Sequence, residues 1–199
     1  MKKVLVLVAL LALVAMPSFA QTATTTGAYL VDYFTHNNIA NYDQSINLVN
    51  YGATGTPLTS PAGDVCANIY VFDANQEMVE CCSCRITPNG LLTLGVKTDL
   101  TLHPLTSVVP ASGDVKIVST AAAGSCSALT YNGGILDSIV GFGTHLQTGG
   151  SPAAAYITET NLPPATLSAA ENAFLTNACS YVIYLGSGVG KCNCPPVAI

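Results

Sequence analysis

The chain has 199 residues, 50% of them hydrophobic and only 9% charged, with six basic residues against eleven acidic ones. Nucleic-acid binding needs clustered Lys and Arg to neutralise phosphates, so this balance excludes nucleic acid as a partner and disfavours anionic membrane surfaces for the same reason. Surface polarity must come from Thr, Ser, Asn and Gly instead.

The first twenty residues carry an export pattern. Lys2 and Lys3 precede an unbroken apolar run, VLVLVALLALVA at positions 4–15, which is of signal-peptide length and shorter than a membrane span. Ser18-Phe19-Ala20 then supplies the small-x-small pattern cut by signal peptidase. Residues 1–20 therefore read as a signal peptide, with a mature chain from Gln21 and no membrane span after cleavage. The residue immediately after the cut, Gln21, is not a cysteine, which argues against a lipid anchor. Arg85, Lys97, Lys116 and Lys191 are the basic residues left, and four against eleven gives a net charge of −7. The predicted destination is the periplasm, the cell surface or the extracellular space.

Residues 21–26 (QTATTT) form a polar leader, expected to be flexible. AYLVDYF at 28–34 is strand-like, and the Asn-rich stretch 35–43 is a loop. In QSINLVNYG, Ile46, Leu48 and Asn50 alternate with Asn47, Val49 and Tyr51, the pattern of a half-buried strand. Residues 52–64, dense in Gly, Pro, Ser and Thr, form a loop. CANIYVFD and EMVECCSC then make a hairpin turning at residues 73–77. With a three-residue turn, Asp73 faces Glu77, Cys66 faces Cys84, and Ile69 and Val71 face Cys81 and Val79. PNG at 88–90 is a turn, LLTLGVKTDLTL is a strand with Gly95 as a bulge position, and VKIVST is a sixth strand after a loop at 104–114. Six strands separated by turns predict an immunoglobulin-like antiparallel β-sandwich over residues 27–120, although the chain has no tryptophan.

Residues 121–199 are expected to be a helix-containing C-terminal part packed on or tethered to the same domain. Ile135, Ile139, Phe142 and Leu146 have helical spacing; Gly141 and Gly143 weaken it, and a strand is the alternative. Ser168-Ala-Ala-Glu171 is a capping box. The helix that follows to about Tyr184 would place Phe174, Ala178, Tyr181 and Leu185 on one stripe, with Leu175, Cys179 and Val182 beside it, and stop at Gly186. A Gly-rich link leads to CNCPPVAI. The fold class is thus mainly β with a C-terminal α element.

All eight cysteines follow residue 20: Cys66, Cys81, Cys82, Cys84, Cys126, Cys179, Cys192 and Cys194. An even count in an exported chain reads as a disulfide framework, here reinforcing a chain already long enough to bury a core. Strand alternation puts Cys82 and Cys84 on one face and Cys81 on the other. Adjacent strand cysteines cannot converge to bond each other, so CCSC should send its sulfurs to separate partners, with Cys81 or Cys82 tethering the C-terminal helix or tail. Eight cysteines allow 105 connectivities, and the pattern alone selects none. The competing reading is a soft-metal or redox site at Cys82, Cys84, Cys192 and Cys194. It lacks paired C-x-x-C motifs.

Other motifs carry less. LGSGVGKC fails the phosphate-loop spacing, since position 185 is Leu where a glycine is required, and reads as a flexible linker. Asp73, Asn75 and Glu77 alternate as calcium ligands do, but lack the glycine and distal glutamate. His36, His103 and His145 form no metal or catalytic motif and read as surface residues. No G-x-S-x-G elbow exists, so no catalytic residue and no cofactor is assigned. A dispersed hydrolase or carbohydrate-active site would have to assemble in space.

CANIYVFDANQEMVECCSC, TPNGLLTL and GSGVGKCNC together resemble segments of a group of exported, cysteine-bearing proteins of environmental bacteria. The resemblance implies that the hairpin and the two cysteine clusters are shared scaffold, and brings no activity, cofactor or catalytic residue. The expected function is a secreted structural or interaction protein of the cell surface or matrix. Its expected partners are further copies of itself, other surface proteins or glycans. The leader followed by the first strand would be the means of self-assembly.

Overall fold

The computed structural model describes residues 24–35, 42–55, 60–148 and 155–195. The segment read as a signal peptide, the first residues of the expected leader and His36 lie outside these. The described strands are β1 (Thr24–Thr35), β2 (Ser45–Asn50), β3 (Val65–Asp73), β4 (Met78–Ile86), β5 (Leu91–Gly95), β6 (Ser112–Ala121), β7 (Ile139–Thr148), β8 (Ala155–Asn161) and β9 (Pro164–Leu167). The helix α1 (Ala169–Gly186) follows them.

Two antiparallel sheets result, in the orders β4-β3-β6-β1-β9 and β5-β2-β7-β8. Between them lies a core that includes Leu30, Phe34, Ile46, Leu48, Ile69 and Ile117. A second apolar cluster, on the outer face of the five-stranded sheet, joins Tyr70, Phe72 and Cys81 to Leu175, Cys179 and Val182 of α1. The order is therefore sheet, sheet, helix. That explains why β3 is buried on both faces from Val65 to Phe72, as a strand must be when both sides of its sheet are covered. Strands β7, β8 and β9 complete the two sheets, so the sandwich extends beyond residues 27–120.

Several expectations are corrected. Thr24 and Thr25 pair with Leu167 and Thr166 of β9, so the end of the leader belongs to β1. The hairpin register holds only beside the turn. Asp73 N donates to Glu77 O at 3.0 Å and Phe72 faces Met78, but Val71 faces Glu80 and Ile69 faces Cys82. Val79 is the extra residue of a β-bulge, which shifts everything beyond it by one. The fifth strand ends at Gly95, where Val96–Leu100 wind into one π-helical turn. There the Asp43 carboxylate accepts from the amides of Lys97 and Thr98 at 2.8 and 3.1 Å.

The predicted helix over 135–146 is instead β7. Its burial has period two, with Ile139, Gly141, Gly143 and His145 inward. On α1, the buried stripe is Leu175, Cys179, Val182 and Gly186, while Phe174, Tyr181 and Leu185 face solvent. This helix is apolar on most of its circumference, so periodicity cannot choose its buried side. The disulfide and the sheet choose it. Gly186 is the last helical residue, and Ser187 takes the left-handed cap conformation at φ 47°.

Candidate functional site

The CCSC segment lies on β4, an edge strand of the five-stranded sheet. Its sulfurs leave in two directions. Cys81 points to the helix face and bonds Cys179 of α1. Cys82 and Cys84 point into the core between the sheets and bond Cys192 and Cys194 of the tail. Cys66 on β3 bonds Cys126 in the loop before β7. No cysteine is free among the described residues. The sulfurs of Cys82, Cys84 and Cys194, three of the four cysteines of the metal reading, lie within 4.8 Å of one another. Each of these sulfurs is held in a disulfide, however, and only a thiolate is a metal ligand.

The tail also bridges the β4 edge at Cys81. Lys191 forms a parallel bridge with Cys81. Cys81 N donates to Gly190 O at 2.9 Å, Gly190 N donates to His103 O at 2.6 Å, and Asn193 N donates to Asp99 O at 2.9 Å. The glycine-rich stretch read as a flexible linker is thus pinned backbone to backbone. Its positive φ values at Gly188 and Gly190, 114° and 78°, make the required bend.

The other edges differ. β9 has four residues, begins at Pro164, and follows Pro163, which has no N–H to offer a partner. β5 has five, confined between the Thr87–Gly90 turn, closed by Gly90 N to Thr87 O at 2.9 Å, and the π-helical turn. β8 has seven residues, AYITETN, paired to β7 in an unbroken register with no bulge. Residues 156–161 are exposed on both faces of the strand. Tyr156 is 57% and Ile157 63% exposed. β8 contains no Pro and no Lys, the usual guards of an edge, and its one charge is Glu159. Beside its end opens a groove of about 570 Å³, lined by Leu30, Val140, Phe142, Leu162 and Pro163, with Tyr51 and Asp137 at hand. The Tyr51 hydroxyl donates to the Asp137 carbonyl at 2.8 Å.

Two buried polar arrangements were not legible in the sequence. His145, expected at the surface, is only 4% exposed. Gln44 Nε2 donates to Tyr33 O and lies 2.8 Å from His145 Nδ1. Both amide hydrogens are then used, so Nδ1 accepts and the ring proton sits on Nε2, which faces Asp32 Oδ1 at 3.3 Å. Burial raises the Asp32 pKa and His145 opposes the rise. Asp32 is on β1 and His145 on β7, so the pair joins the two sheets. His103 is exposed.

Glu80 is the second arrangement. The bulge turns its side chain to the same side as Val71, into the core. Its Oε1 accepts from His103 N at 2.6 Å, and Oε2 has no partner. Burial pushes its pKa up to about 7, and the hydrogen bond from His103 opposes the rise.

Two further motifs resolve into scaffold. Asp73 Oδ1 accepts from the amides of Asn75 and Glu77, both at 2.9 Å, so the calcium-like loop spends this carboxylate on its own turn. Ser168 Oγ accepts from Glu171 N at 3.0 Å, the first half of the capping box. Glu171 does not reach back; its carboxylate takes Lys116 Nζ at 2.7 Å and ties α1 to β6.

These features define a disulfide-tied, two-sheet β-protein whose C-terminal helix and tail are bonded to one edge strand. No protein-family model, curated protein or solved structure matches the chain.

Proposed function

We propose that this is an exported structural or interaction protein of the cell surface or extracellular matrix, a stapled immunoglobulin-like sandwich that engages partners through a sheet edge. The observation that carries the reading is the contrast between edges: β4 is bridged at Cys81 by the chain's own disulfide-bonded tail, whereas among the described residues β8 has no strand on its outer side and its residues 156–161 are exposed. An open edge is a template for strand addition. Four disulfides support an oxidising destination. No described helix is long and apolar enough to cross a membrane. The immunoglobulin-like description is supported by two packed antiparallel sheets sharing one core.

Fractionation of producing bacterial cells tests the reading. The expected outcome is protein outside the cytoplasm, cleaved before Gln21 and without titratable thiols. A full-length, thiol-bearing product retained in the cytoplasm would overturn it.

A further inference from the structure

We infer that the partner of β8 is a second copy of β8, paired antiparallel about a two-fold axis at Thr158. The inference rests on the reading of the protein as an interaction module and names that module's partner.

The strand suits itself. Thr158 is the centre of the seven residues Ala155–Asn161. Antiparallel pairing about it sets Tyr156 against Thr160 of the second copy, Ile157 against Glu159, and Thr158 against Thr158. Aromatic–Thr and Thr–Thr pairs are favourable cross-strand neighbours, and like charges directly opposite are not. This register keeps the only charge of the strand, Glu159, away from its own symmetry mate; centring the axis one residue later would oppose the two carboxylates. All seven residues find a partner, because the two edges are equal in length. Pairing β8 to the β5 edge of another copy would use only five residues and leave two unmatched. It would also be a head-to-tail contact, which builds a ring or a filament rather than stopping at a two-fold pair. Thr24 and Thr25 of the expected leader are already paired to β9, so these two residues are not free to act as a donor strand.

Joining at β8 fuses the two four-stranded sheets into one, in the order β5-β2-β7-β8 and its reverse. It also covers the outer backbone groups of β8. Exposed Tyr156 and Ile157 gain cross-strand neighbours that the monomer does not give them.

Light scattering and sedimentation of the mature, oxidised protein test the inference, with two variants. The wild type is expected to be a dimer at high micromolar concentration. Thr158→Lys sets two ammonium groups against each other on the axis and is expected to weaken the dimer about fivefold or more. Its unchanged far-UV spectrum and melting point would show that the fold is intact. Thr158→Cys is expected to form a disulfide dimer on mild oxidation, while Thr160→Cys, facing Tyr156 rather than itself, should not. A monomeric wild type, a dimer indifferent to Thr158→Lys, a filament, or equal cross-linking at position 160 would each overturn the inference. Failure here with correct export and cleavage leaves the exported-protein reading standing; failure of export removes that reading whatever the oligomeric state.

Discussion

The carboxylate of Asp32 occupies the space that a Cβ at Gly143 would need. β1 and β7 belong to different sheets, and this contact is where a carboxyl group crosses the interior between them. Glycine at 143 is therefore required by close approach rather than by its backbone angles. Gly143→Ala should force Asp32 or β7 to shift, at a cost of about 1–3 kcal/mol typical of overpacking. Urea unfolding measures it. Asp32→Gly in the same background should recover part of the loss by vacating that space. A Gly143→Ala protein as stable as the wild type would refute the steric account.

Glu80 predicts a pH dependence of stability. Its folded pKa, about 7, lies above the ordinary value of 4.5. The folded state therefore prefers the protonated acid. The associated stability is fully present below pH 4.5 and is lost as pH rises through 7. A rise of that size corresponds to roughly 3 kcal/mol at most. Glu80→Gln, which keeps an acceptor for His103 N, should remove this component. Denaturant midpoints compared between pH 5 and pH 8 should fall more in the wild type than in the variant. Equal falls would show that another group is responsible.

What was readable in the sequence was local. β2, β3 and β4 announce themselves through alternation and turn chemistry, and Cys81, Cys82 and Cys84 through strand parity. What escaped was non-local. The register of β3 against β4 slips at Val79 because of a bulge, and no residue there advertises one. β7 resembles a helix because Ile135, Ile139, Phe142 and Leu146 mimic a helical stripe; the buried positions between them are glycines, which hydropathy does not register. His145 looks like a surface residue because its partners, Asp32 and Gln44, come from more than a hundred positions away. The exposed edge of β8 depends on which strands flank it, a property of topology that no short window contains.

The bond between Cys81 and Cys179 should dominate the attachment of α1. Beyond it, the helix is held by Leu175 and Val182 and by the Lys116–Glu171 ion pair. The bond spans 98 residues of sequence, but with Cys82–Cys192 intact the loop it closes runs only through residues 179–192 and 81–82, and closing a loop of about 15 residues stabilises by about 3 kcal/mol in the chain-entropy description. A Cys81→Ser, Cys179→Ser double variant should lose stability of this order. It should also show faster amide exchange in α1 than in β2 or β6. Unchanged exchange in the helix would mean that packing alone suffices.

Proteolysis under non-reducing conditions offers a direct check of connectivity. Basic residues are few, so trypsin has few targets: Arg85, Lys97, Lys116 and Lys191 beyond the leader. Cys66, Cys81, Cys82 and Cys84 all precede Arg85 in one fragment. Cys126 and Cys179 lie between Lys116 and Lys191, and Cys192 and Cys194 follow Lys191. Every disulfide therefore runs from the first fragment to one of the other two. Complete digestion without reductant should free the fragments 86–97 and 98–116. The remaining three should stay joined as one species, which reductant separates. If Cys82 were bonded to Cys84, their neighbouring sulfurs at 3.9 Å having joined, and Cys192 to Cys194, the fragment 192–199 would come away without reductant. Its release would overturn the tail staples and reopen the β4 edge, whereas its retention would leave β8 the longest open edge of the described sandwich.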